Sequence, residues 1–305
     1  MTSETTPDPT EEPEPQPEPA QLPIAPAAVR EAVSRELADL DTFIQGISVD
    51  AWSVPSRASG WNTGDVVAHL DLALGVYSRV LDASLAGRGS GVAWKAFGKL
   101  TQKVVPAASP ALNAINSAIP RVVRGALSPE VLKGQFTASS RSFRHKLDGI
   151  ESPDFMNPIH YMGRPWPLSF FLASVLNELA VHGWDMRSPL APASHIAPMT
   201  RAVLPWFYWS GTPFMFRPKP TFRGTVQASL FDPDIALWWS AGESNTKQGT
   251  GSAAAAEATI SAESGTFVLM LSRRIDIDDA LKGTATSIAG NAEMAKDFLR
   301  SWKIV

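Results

Sequence analysis

Apolar residues recur at spacings of three and four positions along four long segments, the pattern of amphipathic helices. These segments cover about residues 26–47, 62–86, 128–147 and 165–187. The predicted buried stripe of the first helix consists of Val29, Val33, Leu37, Leu40 and Ile44. Four such helices with alternating connections favour a bundle in which any site is built from inward-facing residues.

The ends of these segments carry residues that favour helix starts and stops. Asn62 is a good N-cap, and Asp65 three residues later completes a capping box. Ser128, Pro129 and Glu130 supply an N-cap, a first-turn proline and an early acidic residue. Pro189 follows the fourth helix and is expected to stop it.

A basic segment, residues 83–129, lies between the second and third helices. It holds six basic residues and no acidic one, namely Arg88, Lys95, Lys99, Lys103, Arg121 and Arg124. Prolines at positions 106, 110 and 120 are expected to divide it into short helical pieces. Two roles stay open: a cover that attracts an anionic substrate to a site, or a solvated cover of the bundle.

After about residue 215 the pattern changes to strands mixed with helices. TFRGTVQASLF (221–231) and DIALWWSAG (234–242) are predicted strands, and the polar GESNTKQGTGS (242–252) separates them from AAEATISAES. A predicted helix GTFVLMLSRR, a strand ATSIAGN and a helix AEMAKDFLRSWK follow. This mixture predicts a small α+β domain.

The composition predicts an acidic N-terminal tail and argues against several classes of protein and of site. Residues 1–23 hold six acidic residues, no basic one and many prolines, which predicts disorder. The remainder has 24 acidic residues against 27 basic ones, an excess too small to indicate nucleic-acid binding. No secretory signal or membrane span is expected. The absence of cysteine excludes disulfides, thiolate ligands and a cysteine nucleophile, and fits a cytoplasmic protein.

The candidate chemistry lies in NELAVHGWDM, residues 177–186. Glu178 and His182 are four residues apart, so their side chains can reach one point from the same helix face. His69, on or beside the apolar face of the second helix, is the best candidate for a third ligand. Two imidazoles and one carboxylate leave at least one zinc coordination position open, as catalytic zinc sites do.

The spacing alone also allows histidines that are simply satisfied within the core. Asp65, four residues before His69, has two possible roles: it orients that imidazole or it serves only in the cap. His145 is expected to be solvated. His160 and His195 lie in proline-rich loops and receive no role.

Two motifs together resemble the mycothiol-dependent maleylpyruvate isomerase family, within the DinB superfamily of four-helix bundles. GWNTGDVVAHL (60–70) carries Trp61, Asp65 and His69 at intervals of four, and NELAVHGWDM carries Glu178 and His182 followed by Gly-Trp-Asp. The resemblance implies metal ligands at His69, Glu178 and His182. It also implies a low-molecular-weight thiol as cosubstrate.

Residues 258–302 are similar to the sterol-carrier-protein-2-like (SCP2-like) domain that is often fused to these bundles. The expected architecture is multidomain, α and α+β, with a disordered tail (1–24), a DinB-like metal-binding four-helix bundle (25–212) and an SCP2-like α+β domain (213–305). In this family an arginine of the C-terminal domain is needed for activity. Arg273 or Arg274 matches it by position, and we select Arg274 as the catalytic candidate. The alternative is an exposed arginine at a helix end.

These features predict an enzyme in which a divalent metal, in first place zinc, activates a mycothiol-like thiol for attack on a small electrophile. Its reaction would be that of an isomerase or an S-transferase. The alternative is an SCP2-type lipid- or small-molecule-binding protein, with Trp94 and Phe97 of the basic segment touching an anionic membrane surface. A zinc hydrolase ranks lower, because H-E-x-x-H is absent and Glu178 is itself a proposed ligand.

Overall fold

The four predicted amphipathic helices are all present, and shorter helices accompany them. The computed structural model describes residues 22–86, 110–161, 164–191, 194–219, 221–242 and 245–303. The helices of its first part are α1 Pro26–Gly46, α2 Thr63–Ala86, α3 Pro110–Ala126, α4 Pro129–Asp148, α5 Leu168–Leu190, α6 Pro198–Ser210 and α7 Thr212–Met215. Strands β1 Pro158–Tyr161 and β2 Arg164–Pro167 pair antiparallel before α5.

Helices α1, α2, α4 and α5 pack in a ring in which each contacts two neighbours. Both α1 and α2 pack against α4 and α5. The predicted stripe of α1 is confirmed, since Val29, Val33, Leu37, Leu40 and Ile44 are fully buried. Burial of a large aliphatic side chain contributes about 1.5–3 kcal/mol, so this stripe is a principal reason why α1 holds its place.

The predicted helix starts are confirmed by their hydrogen bonds. Asn62 Oδ1 accepts from Asp65 N at 2.9 Å, and Asp65 Oδ2 accepts from Asn62 N at 3.0 Å. This reciprocal pair is a capping box at the start of α2. Ser128 caps α4 by accepting from Val131 N.

Two prolines do not end helices, contrary to the prediction. Pro120 lies inside α3, and Pro189 lies inside α5, which continues to Leu190. Pro189 has no N–H to donate to the carbonyl of Asp185, four residues earlier. Arg57 N donates to that carbonyl instead, at 3.0 Å. The orphaned acceptor is therefore satisfied from another segment, and the helix tolerates the proline.

A five-stranded sheet forms the C-terminal part, in the order β5-β4-β3-β6-β7. Its strands are β3 Gly224–Phe231, β4 Ile235–Ala241, β5 Thr246–Thr250, β6 Ala258–Glu263 and β7 Thr286–Gly290, and the accompanying helices are α8 Ser264–Leu271, α9 Ile277–Ala280 and α10 Ala292–Arg300. The β3–β6 pairing is parallel and the others are antiparallel. Trp239, Phe267, Phe298 and Trp302 form the aromatic centre of its core.

Strand β5 lies within the stretch that was predicted only to separate two strands. It is an edge strand, and its residues are exposed or half-buried. An edge strand with two solvated faces needs no apolar alternation, which explains why the pattern did not indicate it. The apolar helix α8 is almost wholly buried and packs against α6 and the sheet.

The predicted tail and the basic segment are each described only in part. Leu22 is buried and Ile24 packs against the core, so the last residues of the predicted tail are ordered. Residues 1–21 fall outside the described residues. Residues 87–109 of the basic segment, including Trp94 and Phe97, also fall outside them. In the part of the chain that is described, no helix is long and apolar enough to cross a membrane.

Candidate metal centre

Helices α2 and α5 bring the three predicted ligands together. His69 Nε2 is 2.6 Å from Glu178 Oε1, and His182 Nε2 is 3.6 Å from the same oxygen. One ligand atom from each of the three residues lies within 4.8 Å of the other two. The side chains are 13–19% exposed, so they are close to the surface yet largely shielded. Two nitrogens and one oxygen converge on a single point, as a metal ion requires.

The charge on Glu178 is strongly favoured by its neighbours. Burial raises the pKa of this carboxyl group, but the charges of His182 and His69 and the hydrogen bond with His69 lower it more, to about 2. Arg274 adds to the lowering. Glu178 is therefore a carboxylate at neutral pH, the form in which it binds metal.

A fourth side chain, Asp185, connects this cluster to the C-terminal part. Its Oδ2 is 2.9 Å from His182 Nδ1, and its two oxygens accept from Arg274 Nε at 2.8 and 3.0 Å. The carboxylate of Asp185 is fully buried. A carboxylate can only accept, so His182 donates to Asp185 through Nδ1, and Nε2 is the ring nitrogen that faces Glu178.

The loop before α2 places an indole beside both imidazoles. The ring centroid of Trp61 is 4.9 Å from that of His69 and 5.8 Å from that of His182. Ser56 N and Ser56 Oγ donate to Trp61 O at 2.9 and 3.0 Å, which fixes the loop. The indole of Trp61 therefore forms an apolar wall beside the two imidazoles.

Helix α3 is fastened to this loop and to the start of α2. Arg121 Nη2 donates to Gly60 O at 2.7 Å, and Arg124 Nε donates to Asp65 Oδ1 at 2.6 Å. Arg124 and the cap thus take both oxygens of Asp65, which favours the capping interpretation over a role in orienting His69. The two described arginines of the basic segment make structural contacts, and the other four basic residues lie outside the described residues.

Arg273 and Arg274 have different surroundings. Arg274 reaches Asp185 beside the candidate ligands and is only 15% exposed. Arg273 is exposed and donates through Nη2 to the carbonyls of Arg300 and Trp302. Of the two, Arg274 is the one that lies at the site. Of the remaining histidines, His145 and His195 are exposed, and the side chain of His160 is outside the described residues.

A buried polar group borders the site on the side of α6. Burial raises the pKa of Tyr208 well above its ordinary value, and the opposing effects of Arg274 and of hydrogen bonds with Asn177 and Ser272 are smaller. The hydroxyl therefore stays protonated and serves as a neutral hydrogen-bonding group. Asn177 Oδ1 is buried and lacks a partner in the described part of the chain.

Three contributors to the site were missed in the sequence. Trp61 and Asp185 belong to the quoted motifs but were given no contacts, and Tyr208 was given no role. The signal for Asp185 was its spacing, three residues after His182 on the same helix face. Tyr208 gave no local signal, because its burial depends on how α6 packs against the rest of the chain.

Comparison with known proteins finds a family model that matches the part of the chain with the candidate ligands. Residues 33–187 match the family model described as the mycothiol maleylpyruvate isomerase N-terminal domain. This matched range includes His69, Glu178, His182 and Asp185, and it ends before Arg274. A comparison with curated proteins finds no match.

Solved structures show the same fold over most of the chain. The crystal structure of the mycothiol-dependent maleylpyruvate isomerase is similar with a TM-score of 0.54 and 12% sequence identity, covering 87% of this chain and 93% of that chain. A histidine-to-alanine variant of that enzyme has the same TM-score and coverage at 11% identity. At this identity the likeness shows the fold, and it extends through the C-terminal part. The SCP2-like assignment of residues 213–305 stays a prediction.

Proposed function

The chain belongs to the mycothiol maleylpyruvate isomerase N-terminal domain family, and from this premise we propose that it is a metal-dependent enzyme with a low-molecular-weight thiol as cosubstrate. The observation that carries the proposal is the convergence of His69, Glu178 and His182 within 4.8 Å, on helices whose sequences the family model covers. A small electrophile is the second substrate.

The donor set fits a divalent metal ion. Two imidazole nitrogens and one carboxylate oxygen suit zinc and also several other divalent metals, and zinc is the first expectation. Glu178 is ionised, and the hydrogen bond of His182 Nδ1 to Asp185 leaves Nε2 as the nitrogen that would bind a metal ion. A metal ion held by His69, Glu178 and His182 would lower the pKa of a coordinated thiol, which makes a thiolate available near neutral pH.

The remaining residues would bind and orient the electrophile. Arg274 supplies a cation beside the ligands, so an anionic group of the substrate can pair with it. Tyr208 and Asn177 offer neutral polar atoms on the α6 side. Trp61 contacts both imidazoles and would present an apolar ring to the bound substrate.

Addition of the thiol to an activated double bond accounts for both reaction classes. The sulfur forms a bond to one carbon, and the electron pair of the double bond moves onto the conjugated carbonyl. Rotation about the resulting single bond and departure of the thiol give the isomer, with the thiol regenerated. If the carbon is instead protonated, the sulfur stays attached and the product is a thioether, as an S-transferase produces.

The test measures the substrate and the thiol in the same reaction. The zinc-loaded full chain is mixed with mycothiol and maleylpyruvate, and both are followed by chromatography. We expect thiol-dependent conversion that is lost in Glu178→Gln and retained in the control Glu31→Gln, whose carboxylate is exposed and pairs with Arg35 on α1. Unchanged free thiol indicates an isomerase, and consumed thiol a transferase. Conversion that does not depend on thiol or on Glu178 would contradict the proposal.

The SCP2-type binding alternative lacks a supporting observation. Its apolar segment, Phe267 to Leu271, is packed into the core between α6 and the sheet. A lipid carrier needs such side chains to line a cavity, so the packing favours a structural role for α8. The proposed membrane contact of Trp94 and Phe97 falls outside the described residues.

A further inference from the structure

We infer that Asp185 is a positioning residue that couples metal affinity to Arg274, so that the arginine controls metal binding without being a ligand. The inference rests on the proposed function, since it concerns the same metal site. It assigns to the C-terminal part a second role besides contact with substrate.

The first observation is that the side chain of Asp185 is fully buried and lies against Arg274. A buried carboxylate is stable only when its charge is compensated and its lone pairs are hydrogen-bonded. Here the compensation comes from Arg274, whose Nε donates to both oxygens at 2.8 and 3.0 Å. The rest of the site supplies one further donor, His182 Nδ1, at 2.9 Å. Arg274 therefore holds the carboxylate of Asp185 in position.

The second observation is that Arg274 is itself held firmly. Its Nη1 donates to Ser272 O at 3.2 Å, and its backbone N donates to Leu269 O at 2.8 Å. These contacts anchor it to the end of α8. The main chain of Asp185 is anchored as well, because Arg57 N donates to its carbonyl at 3.0 Å. Both the main chain of Asp185 and the arginine that binds its carboxylate are therefore held in place.

The third observation concerns His182. A metal-binding histidine is oriented by the partner of its other ring nitrogen, and loss of such a partner typically weakens metal binding 10–100-fold. Asp185 is this partner, and Arg274 holds Asp185. A chain of hydrogen bonds therefore connects Arg274 through Asp185 to His182. Removing Asp185 or Arg274 should therefore disturb the ring position of His182.

The test is a double-mutant cycle on metal affinity. Zn²⁺ is titrated into metal-free full-length protein in competition with a chromophoric chelator, for the wild type, Asp185→Asn, Arg274→Gln and the double variant. We expect affinity to fall about 10–100-fold in Asp185→Asn and about fivefold or more in Arg274→Gln. The double variant should bind no more weakly than Asp185→Asn alone, because Arg274 acts through that carboxylate.

Two controls separate positioning from a general loss of structure. Arg273→Gln removes the neighbouring exposed cation and should leave Zn²⁺ affinity unchanged. The absorption spectrum of bound Co²⁺ should change in Asp185→Asn and Arg274→Gln but not in Arg273→Gln, since it reports the ligand geometry. If Asp185→Asn does not fold, Arg274→Lys tests the same chain of hydrogen bonds: it keeps the charge without the planar fork and should recover part of the affinity lost in Arg274→Gln.

Wild-type Zn²⁺ affinity in a folded Asp185→Asn or Arg274→Gln would overturn the inference while leaving the proposed function intact. Fully additive losses in the double variant would also overturn it, because Arg274 would then act by another route. If the wild-type chain itself binds no Zn²⁺ or Co²⁺, the metal site is wrong and the inference fails with it.

Discussion

His69 and Glu178 are 109 residues apart in the sequence, and His69 Nε2 lies 2.6 Å from Glu178 Oε1. The contact exists because α2 and α5 pack against each other through their apolar faces. This packing brings His69 of α2 and Glu178 of α5 side by side. Two such residues in an apolar interface need a partner, and each supplies one to the other. With His182 they form a group of three side chains that could hold a metal ion, which neither helix provides alone.

The conformation of the loop that carries Trp61 gives a first prediction. Gly60 has φ +76°, and a Cβ there would lie 2.8 Å from Arg121 Nη2. We expect Gly60→Ala to lower the free energy of unfolding by about 1–2 kcal/mol, the usual cost of the left-handed region for a residue with Cβ. Thermal and urea unfolding measure it.

The matched control for this variant is Gly134→Ala in α4. A Cβ at Gly134 meets nothing within 4 Å, and alanine is favoured over glycine in a helix by about 1 kcal/mol. This variant should therefore be slightly more stable than the wild type. Equal effects of the two substitutions would show that the loop does not require glycine.

The buried ion pair between α1 and α5 gives a second prediction. Glu36 is 2% exposed, accepts from Arg187 Nη1 at 3.2 Å and accepts from Thr200 Oγ1 at 2.7 Å. Glu36→Ala leaves Arg187 without its partner, so we expect a loss of about 3–5 kcal/mol. The exposed pair Glu31–Arg35 is the comparison, where Glu31→Ala should cost less than about 0.5 kcal/mol. Similar losses at the two positions in urea unfolding would argue against a buried ion pair.

The capping box of α2 gives a third prediction. Asn62→Ala removes the acceptor for Asp65 N and should cost about 0.5–2 kcal/mol. Ser128→Ala at the start of α4 should cost less, because its bond to Val131 N is longer, at 3.4 Å. Differential scanning calorimetry ranks the two. A larger effect of Ser128→Ala would contradict the assignment of Asn62 as the stronger cap.

Local signals in the sequence were sufficient for the four long helices, for the starts of α2 and α4, and for bringing Glu178 and His182 to one helix face. Apolar periodicity and caps act within a few residues, so α1, α2, α4 and α5 were predictable, and the spacing of Glu178 and His182 limited their geometry. His69 was chosen as the residue of a neighbouring stripe, and its position beside them is confirmed. What these side chains bind stays a prediction.

Features that depend on distant partners were not predictable. The burial of Glu36 was not predictable, because no residue near it in the sequence indicates that Arg187 is its partner. Pro189 was predicted to stop the helix, because a proline has no N–H for the carbonyl four residues earlier. That carbonyl, of Asp185, accepts from Arg57 N instead, and this distant partner was not predictable. Arg274 could not be separated from Arg273 by position alone. Only tertiary packing directs one of them to Asp185 and the other to the carbonyls of Arg300 and Trp302.

The metal content of the purified full chain tests the central claim most directly. Elemental analysis after exposure to Zn²⁺ and removal of excess ion should give about one zinc per chain in the wild type, as one cluster of three ligands implies. His182→Ala should retain little zinc, whereas His145→Ala, which removes an exposed histidine, should retain it all. Equal zinc in the wild type and His182→Ala, or none in the wild type, would contradict the account.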